Sequence, residues 1–180
     1  MIRPFSALAL VAAFALTAAA AEQKFALTGD NTTVTFTGTK KNGKHDGGFK
    51  KLTGTATVTD GNPETLKIEA VIDTDSLYSD NEKLTAHLKN PDFFSVKDNP
   101  TATFKSTKVE KSDKGYTITG DLMLLGKTKP VTIPAEVSVK DDTLTITSDF
   151  KINRFDWGMT YGKGMVDDAV ALKLKVSAKK

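Results

Sequence analysis

Residues 33–38 read Thr-Val-Thr-Phe-Thr-Gly, so that every second residue is a threonine and the residues between are apolar or glycine. Threonine is β-branched and favours extended backbone, and successive side chains of a strand point to opposite faces. The stretch therefore predicts a strand with one polar and one apolar face. The same period recurs at Thr55–Thr59, where Ala56 and Val58 alternate with threonines. It continues through residues 66–72, 102–104, 116–124, 131–139, 144–152 and 170–176. Turn-forming stretches separate the runs at Asp60-Gly61-Asn62-Pro63, Asp113-Lys114-Gly115, Gly126-Lys127 and Asp141-Asp142. About eight strands joined mostly by tight turns predict an all-β antiparallel meander and argue against a doubly wound parallel sheet.

One segment breaks this rhythm. Ser79 precedes Asp80-Asn81-Glu82 with the spacing of a capping box, Leu84 and Leu88 fall four apart, and Asn90-Pro91 stops the run. These signals predict a short helix between strands, able to cover a sheet edge or a barrel mouth. An antiparallel meander hides its apolar face either as a sandwich or by closing into a barrel. A barrel of about eight strands is either filled by side chains or holds one small ligand. Periodicity alone does not separate these outcomes.

The first 21 residues are expected to be a secretory signal peptide. Arg3 supplies the positive start, residues 5–16 form a short apolar run, and Ala19-Ala20-Ala21 offers a small-residue cleavage site before Glu22. The expected mature domain, residues 22–180, would enter the periplasm or the medium. Arg3 is the only charged residue of the leader, so removing it takes the formal charge from +3 to +2, with Lys and Arg falling from 25 to 24 against 22 Asp and Glu. The lysines are scattered and Arg154 is the sole arginine beyond the leader, a poor match to a nucleic-acid-binding surface. No cysteine occurs, which excludes disulfides and thiolate chemistry and leaves stability to the core.

Few residues suggest catalysis. The two histidines, His45 and His87, lie in separate segments, without the spacing of a zinc protease or a nucleophile elbow. His45-Asp46 is a weak metal signal, because a stable site draws on three or four ligands, and no cofactor is specified. Asp141-Asp142 and Asp167-Asp168 read as solvated turn residues, and Asp73 with Asp75 would share one face at a strand end. Gly43, Gly47 and Gly48 lack phosphate-loop spacing and read as a flexible hairpin connection. A non-enzymatic protein is expected.

The aromatic residues Phe36, Phe49, Phe93, Phe94, Phe104, Phe150, Phe155, Trp157 and Tyr161 punctuate several elements. Each alone reads as β-core. Phe93 and Phe94 are adjacent, however, and on extended backbone one ring would enter the interior while the other packed under Leu84 and Leu88.

The ordered series of motifs resembles the YceI-like family of lipocalin-like, polyisoprenoid-binding periplasmic proteins. It runs from Phe36-Thr37-Gly38-Thr39-Lys40 and His45-Asp46-Gly47-Gly48-Phe49 through Asp73-Thr74-Asp75-Ser76-Leu77 and Leu84-Thr85-Ala86-His87-Leu88, to Asp92-Phe93-Phe94 and Pro100 to Ser106. It continues from Gly120 to Lys129 and through Asn153-Arg154-Phe155-Asp156-Trp157-Gly158, with Trp157 standing where the family more often has Phe. The resemblance implies an eight-stranded antiparallel lipocalin-like β-barrel whose apolar tunnel binds an isoprenoid, a quinone or another long-chain amphiphile. The nine aromatics would line it, with Arg154, Asp75, His87 and Asp156 near a head group at the mouth. A transient membrane encounter and a homodimer are compatible with such a carrier. The competing readings are an enzyme acting on a similar amphiphile and a secreted β-sandwich interaction module.

Overall fold

The threonine-rich alternation does become strands, and the fold is all-β with one short helix. A computed structural model describes residues 20–180, so the expected leader lies outside the described residues except for Ala20 and Ala21. Among the described residues eleven strands form one sheet, more than the eight or so expected. They are β1 (Glu22–Thr28), β2 (Thr32–Lys40), β3 (Gly43–Phe49), β4 (Leu52–Thr59), β5 (Asn62–Asp73) and β6 (Leu77–Ser79). After helix α1 (Glu82–Leu88) come β7 (Thr101–Ser112), β8 (Gly115–Leu124), β9 (Lys127–Lys140), β10 (Thr143–Asn153) and β11 (Ala169–Lys179).

The three additional strands are β1, β3 and β6. β1 begins immediately after the expected leader. β3 is the glycine-rich stretch read as a loop, and it pairs with β2 from Val34↔Phe49 to Lys40↔Gly43. β6 has only three residues, too few to show a period.

Neighbouring strands are antiparallel, in the order β1-β4-β5-β7-β8-β9-β10-β11-β2-β3-β6. The sheet curls until β1 lies beside β11. At that seam the Ser177 N–H donates to Asn31 O at 2.8 Å. The tight turns at Asp60-Gly61 (φ 51° and 67°), Leu125-Gly126 (50° and 68°) and Asp141-Asp142 (48° and 59°) have positive φ at both central residues. That conformation matches the right-handed twist of the strands it joins. The 60–61 and 141–142 turns mark the lower end of the barrel. Helix α1 and residues 154–168 lie at the upper end.

Helix α1 is capped by Asn81, whose side chain accepts from the Leu84 N–H at 3.0 Å. Ser79, expected to cap, instead bonds the Thr85 hydroxyl at 2.9 Å and so ties the helix over the edge strand β6. This contact blunts an edge that would otherwise offer free backbone groups.

The lower half of the barrel is solid. Phe25, Ala56, Val58, Leu144, Ile146 and Ala178 are each fully buried. They come from β1, β4, β10 and β11 and interlock across the interior as a plug.

Candidate functional site

Above the plug the interior is hollow. A cavity of about 440 Å³ runs upward from Leu27, Ile68, Ile118, Ile133 and Val176, which form its floor. Its wall is overwhelmingly apolar, because the inward positions of nearly every strand are Leu, Ile, Val or Phe. This volume falls in the ordinary range of about 300–1,000 Å³ for sites that enclose a small molecule.

Two pairs of residues explain why the space stays open. The Phe36 ring lies across Gly47, its rung partner on β3, where an added Cβ would sit 2.5 Å from the ring. Phe104 lies over Gly120, its diagonal neighbour on β8, also at 2.5 Å. Both rings are therefore pressed flat against the wall and do not reach across to fill the centre, an aromatic-over-glycine arrangement in a sheet. Phe49 and Phe150 also line the cavity. Phe49 meets Phe36 at 6.2 Å and Phe94 edge-on at 5.6 Å.

Phe93 and Phe94 sit in a turn that continues α1, not on extended backbone. The Phe94 N–H donates to Leu88 O and the Val96 N–H to Lys89 O, both at 3.0 Å. The turn lets both rings line the cavity. Phe93 is buried against Leu77 and Leu88, while Phe94 bridges the helix cluster and the wall. His87 stands edge-on to Phe93 at 5.1 Å and to Tyr161 at 4.8 Å, and Phe93 meets Tyr161 at 5.4 Å. These rings join α1 to the 158–168 segment and form the cap of the cavity.

Arg154 holds that segment in place. Its guanidinium donates to the carbonyls of Met159 (2.5 Å), Tyr161 (2.7 Å), Asp167 (3.0 Å) and Val166 (3.1 Å). It borders the cavity, yet four of its five N–H groups are already used. Burial pushes its pKa below the usual arginine value, with the charge of Asp168 opposing the shift. At neutral pH it remains a cation.

Of the residues expected along the tunnel or at its mouth, Asp75, Phe155, Asp156 and Trp157 lie outside the wall. Asp75 pairs with Lys89 at 3.0 Å on the surface. Phe155 stacks on the Arg154 guanidinium at 4.7 Å. Trp157 is buried behind the wall and donates its indole N–H to Leu122 O at 3.1 Å. There it supports a place where β9 and β10 separate, because their ladder ends at Thr147↔Glu136. Pro130 and Pro134, which have no N–H to donate toward β10, lie in the stretch of β9 that pairs with β8 alone. Trp157→Phe should lower stability by about 1–3 kcal/mol, through a lost indole bond and a small void. Urea unfolding followed by circular dichroism checks this, since Trp157 is the only tryptophan.

Sequence reading singled out the aromatic rings, passed over the aliphatic wall, and weighed His45 as a weak metal signal and not as a residue of the cavity rim. The signal for the aliphatics was the period-two pattern itself, which was read as core. His45 borders the cavity mouth and its Nδ1 bonds Asp80 at 2.9 Å. Asp80 is held below the usual carboxylate range by that bond and then by the Asp46 N–H. Asp46 is likewise lowered, first by the Thr37 hydroxyl and then by Lys44. Asp156, also expected near the mouth, is exposed and does not border the cavity. Among the described residues no group of three or more His, Cys, Asp or Glu converges as a metal site would require. No helix among them is long and apolar enough to cross a membrane.

A curled antiparallel sheet with a plugged lower end, a hollow apolar upper half and a helical cap defines a lipocalin-like β-barrel. Within that class the chain belongs to the YceI-like domain family, whose pattern matches residues 25–178. A UPF0312 protein of Pseudomonas aeruginosa is 40% identical over 96 residues, which cover 53% of this chain and 50% of the relative. The match thus spans about half the length of that relative. BcnA of Burkholderia cenocepacia has a similar structure, with TM-score 0.73, 24% identity, and 82% of this chain and 96% of BcnA covered. A polyisoprenoid binding domain from Saccharophagus degradans superposes with TM-score 0.64 at 12% identity, over 87% of this chain and 98% of that domain. At these identities the two structures establish a shared fold.

Proposed function

We propose that the protein binds the tail of a polyisoprenoid or isoprenoid-quinone-like amphiphile in its cavity, without altering it chemically, in the periplasm or outside the cell. The observation that carries this reading is the blind apolar cavity of about 440 Å³ above a solid plug. Each methylene moved from water into such a space contributes roughly 0.8 kcal/mol. About ten buried carbons therefore supply roughly 8 kcal/mol, from which the costs of association and of ordering the tail are subtracted. The Saccharophagus degradans domain, built on the same fold, is a polyisoprenoid binder, and the leader-like residues 1–21 support a compartment where such tails need shelter from water.

An enzyme acting on the same ligand would draw on the His45–Asp80 and His87–Asp92 pairs, both 2.9 Å. Both pairs are partly solvated, and neither has a serine, threonine or lysine nucleophile within hydrogen-bond range among the described residues. The favoured reading is accordingly a carrier. Native mass spectrometry of protein purified from its own source should show an adduct of lipid mass that organic extraction removes and a polyprenyl phosphate restores. Adduct-free protein that also fails to take up prenyl chains would overturn the reading.

A further inference from the structure

The rim of the cavity is one continuous ledge made from two chain segments. Lys40, at the tip of the β2–β3 hairpin, bridges to Val166, and the Asp167 N–H donates to Thr39 O at 2.9 Å. The ledge therefore joins residues 39–44 to residues 161–167. Gly162 and Gly164 take positive φ (67° and 78°), and the N–H groups of Met165 and Val166 both donate to Gly162 O at 2.8 Å. This tight turn directs Met165 into solvent. At 69% it is the most exposed large hydrophobic residue among those described, and Tyr161 beside it is 45% exposed.

The ledge also carries Lys40, Lys41, Lys44 and Lys163. Its acidic groups are already engaged: Asp46 faces Lys44 at 3.3 Å and accepts from the Thr37 hydroxyl at 2.6 Å, and Asp167 accepts from the Thr39 hydroxyl. Asp80 is bound to His45, and the next carboxylate along the chain, Asp168, acts on Arg154. Lys40, Lys41 and Lys163 have no carboxylate within 4.0 Å among the described residues. Lys40, Lys41, Lys44, Lys163 and Arg154 outnumber Asp46, Asp80, Asp167 and Asp168 by one, so the ledge has a small net positive charge around an exposed methionine and tyrosine. The cavity opens through the same place, since Thr39, Lys40, His45, Tyr161 and Val166 all border it.

We infer that this ledge docks the protein on an anionic lipid bilayer. Met165 and Tyr161 enter the headgroup layer, the lysines face lipid phosphates, and the mouth of the cavity opens directly against the membrane. A tail then passes between bilayer and barrel without crossing water. The exposed apolar area, essentially two side chains, is far short of the roughly 800 Å² per partner of a stable protein interface. It suits an interfacial contact in which amphipathic rings and lysines meet headgroups. The inference rests on the tail-binding function proposed above and names the surface through which that tail is exchanged.

Vesicle flotation of the chain from Glu22 onward, which contains every strand, tests it. The protein should float with mixed phosphatidylcholine–phosphatidylglycerol vesicles, less so at high salt, and not with phosphatidylcholine alone. Neutralising one lysine near the surface lowers partitioning about fivefold, so Lys41→Gln/Lys163→Gln should lower it roughly twenty-five-fold. Met165→Asp should lower it at least as much. None of these three residues borders the cavity, so affinity for a soluble short-chain prenyl probe should be unchanged in both variants. Variants that float like the parent, or a parent that floats with neither vesicle, overturn the docking surface. Failure of the parent to bind the prenyl probe while still floating would instead count against the tail-binding function and leave the docking surface standing.

Discussion

Replacing Ala70 with Phe should shorten the longest tail the cavity favours while leaving the barrel folded. Ala70 lies midway up β5, on one rung with Gly54 of β4 and Phe104 of β7, and borders the cavity. Ile68 below it belongs to the floor, and Ile72 above it faces the upper wall. A phenyl ring at this height projects into open space and divides the floor from the mouth. Excluding one isoprene unit, five carbons, costs about 4 kcal/mol, close to a thousandfold in Kd. The parent protein's affinity for prenyl chains of increasing length should rise until the floor is reached. In Ala70→Phe the rise should stop about one or two units earlier. A melting curve controls for overpacking, which the void keeps at or below the usual cost of about 1–3 kcal/mol. An unchanged length dependence would mean that the tail does not descend past Ala70.

Arg154→Met should release the cap. The guanidinium is the common partner of four carbonyls in residues 159–167. Methionine fills similar volume and donates to none of them. Leaving several such groups unpaired costs about 3 kcal/mol or more, less whatever water recovers at the surface. Arg154→Lys should recover little, because one ammonium with three donors does not span the fork. Hydrogen exchange reads the outcome directly. The N–H groups of Met165, Val166 and Asp167, which now bond Gly162 O and Thr39 O, should lose protection, while those of the β8–β9 ladder keep it. Equal protection of residues 165–167 in parent and variant would show that other contacts hold the segment.

Arg154 also shows where sequence reading stops. The family resemblance implied that Arg154 meets a ligand head group. Its carbonyl partners lie 5 to 13 residues away, and no local pattern announces a bond from a side chain to so many main-chain oxygens. The long alternating runs were legible because one face of each strand is buried and the other solvated. β3 was not, because Gly47 interrupts its inward face between His45 and Phe49 and Gly48 interrupts its outward face. Those glycines are there because Phe36 and Tyr78 occupy the space that their side chains would take.

The same contact separates a filled barrel from a hollow one. Leu27, Ile118 and Val176 at the floor and Leu144 and Ile146 in the plug look alike in sequence, since all are inward residues of alternating strands. What differs is whether side chains from opposite walls meet. The flattening of Phe36 on Gly47 and Phe104 on Gly120 depends on strand register, which periodicity does not encode. Phe93 and Phe94 were recognisable as unusual, but their placement depended on a turn continuing α1 after Leu88.

A prenyl chain carrying bromine at its tail end tests the central claim most directly, because anomalous scattering from a crystal of the complex locates that atom alone. Tail-first binding predicts a single bromine peak at the cavity floor, beside Leu27, Ile118 and Val176. A peak at the mouth near Tyr161 or outside the barrel, with the space above Ile118 empty, would contradict it.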